Sequence, residues 1–175
     1  MIELSQIVAC ICEGGAETAI IDMLVDNDLL IFTREQMLNE EIIRCRNGKD
    51  FEQQYLRKGF EHKITVLRIL DSHTEKFRLS PAYEHKVNVV KVVTSPEIEM
   101  LLILAEGKYN DYIKKSSFMS PSEFCKIQLK MKGFKSQEFV RNYFSNINML
   151  VETIREYKRV KKLKGEEIYL ADLLK

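Results

Sequence analysis

The stretch Ile7-Val8-Ala9-Cys10-Ile11-Cys12-Glu13-Gly14-Gly15-Ala16-Glu17 decides the fold. Six apolar residues in a row stop at an acid and two glycines. Helical spacing follows at once in Ala16, Ala19, Ile20, Met23 and Leu24. Continuous rather than alternating apolarity marks a strand buried on both faces, as in a parallel sheet covered by helices. Cys10 and Cys12 stand two apart, so a strand places them on one face. With no Cys-x-x-Cys pair in the chain, all four cysteines read as reduced core residues.

Working outward, Leu29-Leu30-Ile31-Phe32 reads as a second strand, and a short helix is expected near Glu35 to Arg44. A further helix is expected over 49–60. Residues 63–70 and 87–93 read as the third and fourth strands, the latter rich in β-branched residues. Each of the three prolines follows a serine (Ser80-Pro81, Ser95-Pro96, Ser120-Pro121). Serine accepts an orphan amide as N-cap, and proline suits the first helical position, so helices should start near 96 and 121. Glu123, three residues after Ser120, completes a capping box. A last helix is expected from Gln137 after Ser136 to about Lys164, roughly 42 Å long at ~1.5 Å per residue. Its apolar positions Val140, Tyr143, Ile147, Leu150, Ile154 and Tyr157 follow a heptad rhythm, which suits packing along its own domain or, alternatively, pairing with a second copy of the chain. The expected class is α/β: a small parallel sheet of about four strands flanked by helices over 1–105, with a helical region over 106–175.

The formal net charge of +1 hides segregation: residues 1–60 sum to −5 and residues 126–164 to +8. An acidic front and a basic back point to a charged surface such as a nucleic acid. Lys126, Lys130, Lys132 and Lys135 form one basic block; Lys158 and Arg159 belong to a second. Phe134, Tyr143 and Tyr157 are interleaved with them. Cations with aromatics suit phosphate tracking and base stacking, so these six cations are the candidate DNA or RNA contacts. No apolar run approaches ~18–20 residues, so no membrane partner is expected. Met1 to Gln6 lacks a basic leader, and a cytoplasmic protein is expected. The chain lacks a phosphate-loop lysine motif and a Gly-x-Ser-x-Gly elbow, which excludes those nucleotide-binding and hydrolase classes.

Ligands of an open parallel sheet gather beyond the carboxyl ends of its strands. Glu13 and Glu17 follow the first strand, Asp71 and His73 the third, and Glu97 and Glu99 the fourth. Hard oxygen donors of this kind suit magnesium with substrate phosphates.

These residues carry a resemblance. Glu13-Gly14-Gly15-Ala16-Glu17 after a strand resembles the first motif of the Toprim superfamily, Glu-Gly-x-x-Glu opening a helix. Asp71 falls at the first aspartate of the family's Asp-x-Asp, with His73 in place of the second. Ser95-Pro96-Glu97-Ile98-Glu99 is similar to the Asn-Pro-x-Phe-Glu segment of the RloB-like branch, matching at Pro96 and Glu99. Ser95 stands for asparagine and Ile98 for phenylalanine. The similarity spans about residues 6–105. It implies metal-dependent phosphodiester cleavage in nucleic-acid processing, in bacterial defence or a mobile element and with a defence-system protein as partner. Glu13 would be the acid-base or metal-side residue, and Asp71, His73 and Glu99 would complete a magnesium or manganese site. Histidine suits softer ions than magnesium. The alternative is therefore a catalytically degenerate binding or scaffold protein, dimeric through the long C-terminal helix.

Overall fold

The computed structural model describes residues 2–57, 62–70, 77–94, 97–161 and 168–175. Among these residues the sheet has three strands, β1 (Ile7–Cys12), β2 (Ile64–Leu70) and β3 (Val87–Val93), all parallel in the order β1-β2-β3. Ile7 pairs with Ile64, and Ile64 with Val87, so the three strands start level. β2 is central and every residue of it is buried. The apolar runs that looked two-sided are two-sided. Val8, Cys10, Cys12, Leu67, Ile69 and Val92 face one core; Ala9, Ile11, Ile64, Val66 and Val87 face a second. Cys10 and Cys12 share a face, and all four cysteines are free and buried.

Helix α1 (Gly15–Asp26) follows β1, and α2 (Gly48–Phe51) runs on into a π-helical turn at Glu52–Leu56. A short α3 (Pro81–Glu84) precedes β3. After β3 come α4 (Glu97–Ala105), α5 (Tyr109–Ile113), α6 (Pro121–Ile127), α7 (Gln137–Tyr143) and α8 (Ile147–Val160), then a 3-10 turn at Leu170–Leu173. The expected starts near 121 and 137 are met, and α4 is helical from Glu97, while Ser95-Pro96 lies outside the described residues. Ser120 and Glu123 form the reciprocal capping box, and Ser136 caps α7. The larger core takes buried residues from Val8 to Leu173, so the helices after residue 106 pack on the same core as β1 and α1.

Three expectations differ from this arrangement. The 29–32 segment is not a strand of the sheet. Leu30 makes one isolated antiparallel bridge to Leu174, and the Ile31 amide donates to the Leu173 carbonyl at 2.8 Å. The chain's own tail takes these hydrogen bonds. The open edge of β1 is covered instead by the strap after Thr33. Val8 donates to the Gln36 carbonyl and Ile43 to the Cys10 carbonyl, both at 2.8 Å. That duty leaves only a 3-10 turn, Leu38–Glu40, where a helix was expected. Finally, the 137–164 helix is divided. Phe144 leaves helical geometry, and the Asn146 side chain accepts from the Asn148 amide to start α8 afresh. Asparagine stabilises a new N-terminus better than a helix interior. The heptad stripe is spread over two helices, and Val140, Phe144, Leu150, Ile154 and Tyr157 are buried in the chain's own core. Four of the six heptad positions are thus taken up inside the chain, and Tyr143 and Ile147 are half-buried against the same core.

Candidate functional site

β1 delivers Glu13 to the carboxyl edge of the sheet. Strand alternation puts Glu13 on the face of Ile11, and Ile11 pairs across to Arg68 of β2. Arg68 is wholly buried, and its guanidinium donates to Glu13 Oε1 at 3.1 Å. The guanidinium carbon lies 4.8 Å from the centroid of the Phe77 ring, a cation–π arrangement. A charge withdrawn from water requires a hydrogen-bonded counter-charge, and Glu13 supplies one while keeping a quarter of its side chain exposed. Arg68 was not anticipated. Its signal was a lone cation inside the apolar run Val66-Leu67-Arg68-Ile69-Leu70, where a charge is tolerated only when paired.

The two glycines after Glu13 serve close packing. A Cβ on Gly14 would collide with the Glu17 carboxylate, which folds back over the turn. A Cβ on Gly15 would stand 3.3 Å from the Lys135 carbonyl oxygen, so the loop before α7 lies directly on the start of α1. That approach sets Lys135 at the mouth of a cavity of about 230 Å³, lined also by Glu13, Gly14, Gly15, Ala16 and Glu17. Lys135 Nζ meets Glu99 Oε1 at 2.9 Å. Glu99 on α4 is 5% exposed. Beneath it, the Cys125 thiol donates to the Glu99 carbonyl. Burial pushes that thiol up to about 12, with Glu99 adding to the shift and Lys135 opposing it. The Cys12 thiol, just before Glu13, is held well above its ordinary value by its hydrogen bond with Cys10 and by burial. Neither thiol is a nucleophile at neutral pH.

The structure thus brings Glu13, Glu17 and Lys135 to one cavity and ties Glu99 to it through Lys135. Asp71 and His73 lie outside the described residues. Among the described residues, no three His, Cys, Asp or Glu side chains form a metal-holding group. The carboxylates of Glu13 and Glu17 are nonetheless hard donors at an open cavity, the chemistry that fits magnesium or manganese.

The six candidate nucleic-acid contacts divide. Lys126, Lys130 and Lys132 are exposed. Lys135 pairs with Glu99, Lys158 with Asp172, and Arg159 with Glu156. Lys161 lies over the rings of Tyr157 and Tyr169, and Arg155 donates to the Lys175 carbonyl. Much of the second basic block therefore pins the C-terminal tail to α8. Of the interleaved aromatics, Phe134 and Tyr157 are core residues, and half-buried Tyr143 donates its hydroxyl to Glu106 at 2.6 Å. No described helix is long and apolar enough to cross a membrane.

Comparison of the chain with protein-family models, with curated proteins and with solved structures finds no match.

Proposed function

We propose that this protein is a Toprim-like, metal-dependent nucleic-acid-processing protein that cleaves phosphodiester bonds. The observation that supports this reading most is the cavity at the carboxyl end of β1. There Glu13, oriented by buried Arg68, faces Glu17 and Lys135. Carboxylates beside a cation suit a substrate that is itself an anion bridged to metal. Glu13 would hold magnesium or manganese or act as general acid-base. Asp71 would share the metal, with His73 and Glu99 as the further ligands named by the resemblance. The bound ion would polarise the phosphate and lower the pKa of an attacking water. Arg68 fixes the orientation of Glu13, and Lys135 offers its ammonium to a phosphate oxygen at the cavity mouth. The test is cleavage of labelled DNA and RNA with manganese or magnesium. Glu13→Gln and Asp71→Asn should abolish it. Calorimetric titration showing no metal binding at millimolar concentration would refute the catalytic reading.

One observation favours a second reading, a catalytically degenerate binding protein. Glu13 and Glu99 each already hold an internal cation, so two of the carboxylates at this edge are neutralised without any ion. Nucleic-acid binding unchanged by chelator, with no cleavage under either metal, would support it.

A further inference from the structure

The exposed large apolar side chains of the described residues all fall between residues 113 and 127: Ile113 (48% exposed), Phe118 (71%) and Ile127 (59%). They sit at the end of α5, on the turn after it and at the end of α6. Residues 108–132 also carry six lysines against two acids. Both acids are engaged locally. Asp111 pairs with Lys108 at 3.3 Å, and Glu123 closes the capping box on Ser120. Lys114, Lys126, Lys130 and Lys132 are exposed and form no ion pair among the described residues. Between the ends of α5 and α6 lies a cavity of about 260 Å³, rimmed by Lys108, Lys114 and Lys115 over Phe124 and Leu129. Lys115 donates to Gln128 across it at 2.8 Å.

Single exposed apolar residues need no explanation, but several among uncompensated cations mark a contact surface for an anionic partner. Two features select the partner. Helices of five and seven residues are too short to lie as an amphipathic helix among lipid headgroups. The lysines, moreover, lead somewhere. At no more than ~3.4 Å per residue, Lys132 lies within roughly 10 Å of Lys135 and Lys130 within roughly 17 Å, and Lys135 lines the Glu13 cavity. A run of exposed cations leading along the chain to a cavity residue fits a chain of phosphates. A large, exposed phenylalanine in the same stretch of chain fits bases with free faces, which a duplex does not present.

We propose that the face built from α5, α6 and the loop to Lys135 binds single-stranded nucleic acid and leads it to Glu13. Bases pack on Phe118 and Ile127, and phosphates follow Lys114, Lys126, Lys130 and Lys132. This proposal rests on the reading of the Glu13 cavity given above and names the strandedness of its substrate.

The experiment is fluorescence anisotropy in EDTA with the full chain and a labelled oligothymidylate longer than a ~4–16-nucleotide site. Wild type binds it more tightly than a duplex of equal length. The triple variant Lys126→Glu, Lys130→Glu, Lys132→Glu weakens binding at least ~ten-fold and reduces the salt slope by about two, near 0.7 per lost phosphate contact. Phe118→Ala weakens binding roughly ten-fold with the slope unchanged. Lys49→Ala with Lys86→Ala, exposed cations outside residues 108–135, leaves binding within about two-fold. All these side chains lie at least partly in solvent, and thermal melts confirm that each variant folds. An unaffected triple variant, a preference for duplex, or capture only by phosphatidylserine vesicles would overturn the proposal. Chelator-resistant binding by wild type with no cleavage under any metal would retain this face and reject the nuclease reading. Cleavage indifferent to the three lysines would do the reverse.

Discussion

Arg68, fully buried in the central strand, donates to Glu13 at the first position beyond the neighbouring strand, 3.1 Å away. The pair joins the middle of the sheet to its carboxyl edge. It explains how an acid at the mouth of a cavity is held in one orientation, and it makes Glu13 a structural residue as well as a candidate ligand.

Removing the charge of Glu13 should therefore cost stability. Glu13→Gln takes a charged partner away from the buried guanidinium. The expected loss is about 2–3 kcal/mol, below the ~3–5 kcal/mol of a fully buried pair because Glu13 keeps solvent contact. Urea denaturation measures it. Arg68→Met, which removes the buried charge itself, should cost less than Arg68→Ala, because methionine also fills the space over Phe77. A Glu13→Gln variant as stable as wild type would show that the pair contributes nothing.

Lys135 and Lys126 both look like surface cations, but only Lys135 neutralises a nearly buried carboxylate. Lys135→Met should destabilise by about 1 kcal/mol, discounted for the exposed ammonium, while Lys126→Met should stay within ~0.5 kcal/mol. Equal melting temperatures for the two variants would place the Glu99 charge in effective contact with water.

The parts of the fold that were legible were those with a local cause. The apolar runs at β1, β2 and β3 announced buried strands, and the Ser-x-x-Glu and Ser-Pro pairs announced helix starts. What was not legible depended on partners distant in sequence. On either side of Leu30, the Ile31 amide donates to the Leu173 carbonyl and the Leu29 carbonyl accepts from the Lys175 amide, and nothing near residue 30 signals that. The apolar stripe from Val140 to Tyr157 is a true helical period, but periodicity does not register the three-residue break at Phe144-Ser145-Asn146 or which core the stripe enters. At the site, Glu13 was visible from Glu-Gly-x-x-Glu, while Arg68 lies 55 residues away and meets it only through the register of β1 and β2. Charge counting treated all lysines alike. Structure separates Lys126, Lys130 and Lys132 from those that already hold an acid.

The division of the last helix carries its own prediction. Ile154 is fully buried within a single chain, so Ile154→Ala should cost roughly 2–4 kcal/mol, as other buried isoleucines do. The loss should be the same at every protein concentration. A dimer held by this stripe would instead show a midpoint that rises with concentration. Sedimentation of wild type across a hundred-fold dilution checks the same point, and a concentration-dependent midpoint would restore the coiled-coil reading.

The buried thiols set a behaviour at alkaline pH. Burial raises Cys125 from 9.0 to about 12, while in the unfolded chain the thiol returns to its ordinary value. Between those limits the unfolded state releases a proton that the folded state keeps. The folded state then binds more protons, so stability must fall as pH rises through the window and is complete only below pH 9. Cys12, raised through its bond to Cys10 and burial, and Tyr143, raised by burial and its bond to Glu106, act with the same sign. Melting temperatures at pH 8 and pH 10.5 should therefore diverge in wild type and diverge less in Cys125→Ala, whatever that substitution does to stability at pH 8. Native labelling with a thiol reagent at pH 8 should be slow until denaturant is added. If the alanine variant loses as much stability as wild type over the same span, Cys125 is not the group that titrates, and the thiol beneath Glu99 is not sealed from water.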